Sequence, residues 1–191
     1  MKRSSRRSRL PVNDYNVVDK YKTWDIAQIK ADVQKNTFPY AVLMQHIDGD
    51  YNISTLVRNA NAFGAERVFY YGRRKWDRRG SVGTHHYTDL VHLDDFTSLK
   101  LLKKQYHFVG VENNTPKAKN ISEYVPQPKT LFIFGEEGSG IKDEIIELCD
   151  EVVYIPQYGS VRSVNVGTCS GIVMNDYVSK ISHEYVKVST H

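Results

Sequence analysis

With 191 residues, 40% hydrophobic and 25% charged, the chain suits one soluble globular domain with a sizeable core and a short appendage. No apolar run approaches the roughly 18 residues of a membrane span, and the basic N-terminus lacks the apolar stretch of a secretory signal. The net charge of +4 sits in two windows, 1–9 and 73–79; outside them 16 basic residues face 21 acidic ones, a clustering that points to a polyanionic partner.

Residues 1–20 read as a flexible basic tail carrying Lys2, Arg3, Arg6, Arg7 and Arg9. A helical extension fills 21–38, its helix over 24–35 marked by Trp24, Ile26, Ile29 and Val33. The main domain spans 39–185, with a second short tail at 186–191. It opens with a buried strand at 40–45 and an Asp/Gly-rich turn at 48–52. A helix follows over 53–63, with Asn52 as N-cap and Gly64 just past its end. After a strand at 67–71, the polar loop 72–88 begins with Arg73, Arg74, Lys75, Arg78 and Arg79, read as an RNA-binding patch. A strand near 89–93, a helix over 95–105 and a strand at 107–112 come next. Loop 113–129 contains three prolines and one helical turn near 121–124. The chain then runs through a strand at 130–134, a helix at 141–149 and a strand at 151–155. A last helix runs from about Ser163 to His183. Alternating strands and helices with near-continuous apolar strands predict an α/β fold: a mostly parallel sheet with helices on both faces.

In such a sheet the loops beyond the carboxyl ends of the strands converge on one ligand-binding edge. Here they are 46–52, 111–116, 135–140 and 156–162. The glycine-rich turn at 135–140 would suit a nucleotide phosphate, but Glu136 and Glu137 would oppose an anion at a helix start. Strand 151–155 ends in Ile155-Pro156, where a dinucleotide site wants an acid for the ribose, and no Walker sequence occurs. A neutral or cationic ligand carrying a ribose fits better. Cys149 and Cys169 lack metal-ligand spacing and read as reduced thiols in a cytoplasmic protein. His85 and His86 are adjacent loop residues without a ligand-spaced partner, so no metal is expected.

Three ordered motifs carry a resemblance. Asn52, Ser54, Arg58 and Gly64 form N-x-S-x-x-x-R-x-x-x-x-x-G. Gly135, Glu137 and Gly140 form G-x-E-x-x-G. Ile155, Pro156, Gly159, Ser163, Asn165 and Val166 form I-P-x-x-G-x-x-x-S-x-N-V. Over about residues 40–180 the chain resembles the TrmH/SpoU group of RNA 2′-O-ribose methyltransferases, in the SPOUT superfamily. Two positions depart from the group's common pattern: Gln157 where many members have Met, and Val164 where Leu is commoner.

The resemblance implies a deep C-terminal trefoil knot, a homodimer packed through the terminal helices, and S-adenosyl-L-methionine as the cofactor. It implies catalytic roles for Arg58, Asn52, Glu137, Ser163 and Asn165; Asn52, six residues before Arg58 at a helix start, would orient it through local hydrogen bonds. It implies cofactor contacts from Val111, Glu112, Gly135, Gly138, Ile155, Gln157 and Val164. The expected substrate is structured RNA, tRNA ahead of rRNA because the chain lacks a sizeable separate RNA-binding domain. A non-catalytic RNA-binding protein on the same scaffold and a base methyltransferase are the rival readings.

Overall fold

A computed structural model describes residues 16–46 and 51–188 of the chain. The basic window at 1–9, the turn residues 48–50 and the end of the C-terminal tail (189–191) lie outside the described residues.

Helix α1 (Ile26–Lys35) starts on a capping box. The Asp25 carboxylate accepts from the Gln28 N–H at 2.8 Å, and the Gln28 amide oxygen accepts from the Asp25 N–H at 3.0 Å. Strand β1 (Phe38–His46) follows, then α2 (Tyr51–Ala62), β2 (Ala65–Gly72), β3 (Leu90–Leu93) and α3 (Phe96–Leu102). The second half contains β4 (His107–Val111), β5 (Ala118–Asn120), β6 (Thr130–Phe134), α4 (Asp143–Ile146), β7 (Glu151–Tyr154) and α5 (Val166–Val188). The seven strands form one all-parallel sheet in the order β3-β2-β1-β6-β4-β7-β5.

The alternating strand periodicity sorts the core into two layers. Tyr40, Val42 and Met44 of β1 join Phe132 and Phe134 of β6 against Leu56 and Val57 of α2 and Val173, Met174 and Tyr177 of α5. Ala41 and Leu43 point the other way, with Leu131 and Ile133, toward Leu99 and Leu102 of α3 and Ile145 of α4. Val42, Leu43, Phe132 and Ile133 are fully buried, each burial contributing about 1.5–3 kcal/mol. The expected helices on both faces are therefore present. No helix among the described residues is long and apolar enough to cross a membrane.

Four element assignments change. Asn52 lies inside the first turn of α2 instead of capping it. The helix expected over 141–149 is α4 alone, because beyond Ile146 the backbone tightens: Leu148 and Cys149 donate to Ile145 and Ile146, three residues back. Helix α5 starts at Val166 rather than Ser163, because Asn165 caps it by accepting from the Thr168 N–H at 3.2 Å, and it runs past the expected end at His183 to Val188, into the expected tail. Strand β5 is an edge strand of Ala, Lys and Asn paired with β7; its lack of apolar alternation conceals it within the proline-containing loop.

Candidate active site

The carboxyl ends of β4, β6 and β7 open into a cleft of about 640 Å³. Its floor is Gly135, immediately after β6. A Cβ there would lie 2.2 Å from the Gly140 carbonyl carbon, so only glycine lets the turn fold back this closely. Glu136 and Gly140 close the turn with a reciprocal backbone pair at 3.1 and 3.0 Å. Gly138 and Gly140 hold φ values of 96° and 71°, within the left-handed region.

Two polar side chains clamp this turn. Glu112, beyond β4, accepts from the Ile141 N–H at 2.9 Å with one oxygen and from the Asn113 and Asn114 N–H groups with the other. Gln45, 1% exposed at the end of β1, donates to the Gly140 carbonyl at 3.3 Å and accepts from the Lys142 N–H at 3.0 Å. Asn113 ties on the third loop by donating to the Arg162 carbonyl at 2.8 Å. These bonds join β1, β4, β6 and the β7–α5 loop into one rigid mouth.

All seven residues expected to hold a cofactor line the cleft: Val111, Glu112, Gly135, Gly138, Ile155, Gln157 and Val164. Glu137 and Ser163 line it too. Asn52 and Asn165 are not among the lining residues but form a relay to Glu137: the Asn165 amide donates to the Asn52 oxygen at 3.0 Å, and the Asn52 amide donates to Glu137 at 2.8 Å. Asn52 thus orients Glu137; among its described partners Arg58 does not appear. Arg58 is exposed on α2 and is not among the residues lining the cleft.

The Ser54 hydroxyl of the first motif is buried and donates to the Asp77 carbonyl, pinning the 73–79 loop to α2. Asp77 in turn accepts from Arg79, which holds its carboxyl down at about 2. Arg78 lies 5.8 Å from the Trp76 ring. Arg73, Arg74, Lys75, Arg78 and Arg79 follow the carboxyl end of β2, on the edge of the sheet where the cleft opens. With β1 standing between β2 and β6, they do not line the cleft.

Sequence reasoning overlooked Arg162, Ser139, Cys169 and the clamp Gln45. A polar residue closing an apolar strand was the available signal for Gln45; for Arg162, it was a cation directly before the motif serine, Ser163. Burial, aided by the charge of Glu112, pushes the thiol of the lining residue Cys169 up to about 12, so its sulfur stays neutral. Among the buried side-chain atoms of the lining residues, the Oε1 of Gln157 has no hydrogen-bond partner within the described residues.

An all-parallel α/β sheet, with a glycine-floored and acid-rimmed cleft at its carboxyl edge and a basic loop on the same edge, defines a ligand-binding enzyme scaffold. The SpoU rRNA Methylase family matches residues 39–175, and the chain belongs to this family of methyltransferases. Among its relatives is the tRNA (guanosine(18)-2′-O)-methyltransferase of Aquifex aeolicus, 26% identical over 168 residues, 85% of this chain and 78% of that protein. The enzyme of the same name from Thermus thermophilus is 27% identical over 137 residues, covering 70% and 71%. In fold the chain is similar to the A. aeolicus TrmH/SpoU tRNA modifying enzyme, with a TM-score of 0.73, 22% identity and 83% of each chain covered. It is also similar to the SpoU methyltransferase AviRb from Streptomyces viridochromogenes, solved in complex with AdoMet. That match has a TM-score of 0.66 at 21% identity and covers 73% of this chain and 57% of the other.

Proposed function

We propose that the chain transfers a methyl group from S-adenosyl-L-methionine to a ribose 2′-hydroxyl of tRNA. The observation that carries this reading is the convergence of three separated sequence motifs on one clamped cleft, within a chain of the SpoU family. The names of the A. aeolicus and T. thermophilus relatives support tRNA and a guanosine target.

The cleft suits the cofactor. Its volume falls in the range of small-molecule sites, about 300–1,000 Å³. Val111, Phe134, Ile155, Val164 and Val166 supply an apolar wall for a flat base, and Gly135 lets a ligand approach the backbone. Glu136 and Glu137 complement a cation rather than a phosphate. When bound, the cofactor supplies an electrophilic methyl group on a sulfonium.

The protein's part is positioning and electrostatics. A ribose hydroxyl is a weak nucleophile until its proton leaves. A guanidinium makes a poor base, so Arg58 serves as a cation that holds the neighbouring phosphate and favours the developing alkoxide; a phosphate oxygen or water takes the proton. Because Arg58 lies outside its own protomer's cleft, this reading has it act at the cleft of a second copy in a homodimer. The relay Asn165–Asn52–Glu137 sets the rim against which the ribose is held. The implied trefoil knot belongs to the same reading, supported by family membership and by the placement of β6 between β1 and β4. Cytoplasmic residence suits the two free thiols.

The test is to incubate the purified protein with methyl-labelled cofactor and total tRNA or rRNA, then digest the RNA to nucleosides. Labelled 2′-O-methylguanosine from tRNA is expected. Base-methylated nucleosides, or tight RNA binding without product, would overturn the reading; label confined to rRNA would overturn its substrate.

A further inference from the structure

The neighbouring histidines His85 and His86 have no part in the cleft or its clamp, yet the fold builds them into a ladder of rings. Tyr70 of β2 is buried, and its ring centroid lies 6.5 Å from that of Trp76. Trp76 packs against the apolar core and stands edge to face with His85 at 6.0 Å. His85 is half-buried and His86 exposed, their rings 4.1 Å apart with 36° between the planes. The ladder runs from the sheet to the surface and ends on an imidazole already backed by a second one.

Local bonds hold the ladder in place. The Ser81 hydroxyl donates to the Arg78 carbonyl at 2.7 Å; with its one proton spent there, it accepts from His85 Nδ1 at 2.7 Å. Thr84 donates to the Ser81 carbonyl at 2.7 Å, and Thr88 to the Thr84 carbonyl at 2.8 Å. The 3₁₀ turns at Arg79–Ser81 and Thr84–His86 pack on α2. Burial, followed by cationic charge from His86 and Arg78, holds the His85 imidazole below its ordinary value, so the inner ring stays neutral at neutral pH.

An exposed ring fixed in this way loses little freedom when a flat group stacks on it. Cations share its loop: Arg73, Arg74 and Lys75 precede the ladder, and Arg78 lies 5.8 Å from the Trp76 ring. Positive charge beside an aromatic face suits single-stranded nucleic acid, where cations meet phosphates and unpaired bases stack on rings. A helix offers no such base, because its bases are stacked on one another.

We propose that His86 is a stacking platform for an unpaired base, and that loop 73–88 therefore engages a single-stranded region of the RNA rather than a helix. The assignment rests on the RNA reading of this chain and adds a contact outside the methyl-transfer cleft.

The test is fluorescence anisotropy of the full-length protein with two labelled RNAs of equal phosphate number, a hairpin with a wide unpaired loop and a fully paired duplex. His86→Ala should weaken hairpin binding about fivefold to a hundredfold, the loss on deleting one base-stacking side chain. Its duplex affinity should stay within about twofold of wild type, since the duplex presents no free base. His86→Phe, which keeps a flat face without charge, should bind the hairpin within about threefold of wild type, whereas His86→Lys, which keeps charge without a face, should fall with alanine. Unchanged hairpin binding in His86→Ala, equal losses on both RNAs, or rescue by lysine and not by phenylalanine overturns the proposal. Should His86→Ala fail to fold, by its thermal transition, the comparison of the other two variants decides in the same way. If wild type binds neither RNA, the RNA reading itself fails and takes this assignment with it.

Discussion

Replacing Gly135 by alanine probes the whole mouth at one atom. The added Cβ would sit 2.2 Å from the carbonyl carbon of Gly140 and 2.4 Å from the nitrogen of Ile141. Carbon atoms rest comfortably near about 3.5–4.0 Å apart, so the backbone at 140–141 must retreat by more than about 1 Å. That segment carries the Glu136–Gly140 pair, the Ile141 bond to Glu112 and both bonds to Gln45. Losing three of these at about 1 kcal/mol each gives a cost near 3 kcal/mol, more if the Glu112 carboxylate is left unpaired. Two neighbouring glycines serve as controls. A Cβ added at Gly138 would meet nothing within 4 Å, but the residue holds φ 96°, so alanine there costs only the backbone strain, about 1–2 kcal/mol. Gly159 has open space and no such φ, and Gly159→Ala should stay within about 0.5 kcal/mol of wild type. Urea unfolding at one fixed protein concentration measures all three. Calorimetry with S-adenosylhomocysteine should show binding lost in Gly135→Ala and kept in Gly159→Ala. A Gly135→Ala protein within about 1 kcal/mol of wild type that still binds would refute the clamped-turn account, as would equal damage at Gly159.

Arg58→Ala should abolish methyl transfer while leaving unfolding within about 0.5 kcal/mol of wild type, since Arg58 is exposed and outside the cleft lining; loss of cofactor binding in calorimetry would contradict its assigned role. Neutralising Arg73, Arg74, Arg78 and Arg79 together should weaken RNA binding and flatten the plot of log affinity against log salt by about 0.7–0.9 for each phosphate no longer neutralised. An unchanged slope would remove the loop from the RNA surface. Burial pushes the thiols of Cys149 and Cys169 up to about 12. Their folded values lie above the ordinary 9.0, so they favour folding fully below pH 9, and that contribution falls away as pH rises from 9 toward 12. Native protein at about pH 8 should therefore resist a thiol-specific reagent that labels both cysteines after denaturation; rapid labelling of the native state would contradict their burial.

The strands were legible because burial on both faces leaves an unbroken apolar run, as in Leu131–Phe134, which periodicity reads directly. Helix ends were less so. Whether Asn165 or an earlier residue caps α5 depends on which side chain meets the Thr168 N–H, a fact of the folded loop and not of composition. The cleft-lining residues were found through motifs, since spacing alone cannot bring β4, β6 and β7 together. Ser54 shows the limit plainly: as a motif position it promised chemistry, and the fold gives it the carbonyl of Asp77. Asn52 was tied to Arg58 by proximity along the chain, six residues apart. Its bonds reach instead across 85 and 113 residues, to Glu137 and Asn165.

Those two long-range bonds explain why the three motifs must be present together. Asn52 begins α2, Glu137 sits on the turn after β6, and Asn165 caps α5; each is an end of a different element. An amide in the middle can accept from one neighbour and donate to the other, whereas aspartate in its place would accept only and would set a second negative charge against Glu137. The same seam continues down the helices. Asn59 of α2 donates to the Gly167 carbonyl at 2.9 Å and the Ser170 hydroxyl at 3.0 Å, and a Cβ on Gly167 would meet the Thr55 side chain at 2.9 Å. The helix that carries Arg58 is thereby locked at fixed height against the helix whose cap completes the cleft. A rigid α2–α5 pair fixes the backbone that carries Arg58 relative to Asn165, a starting point suited to the proposed reaction, which depends on placement rather than on a strong base.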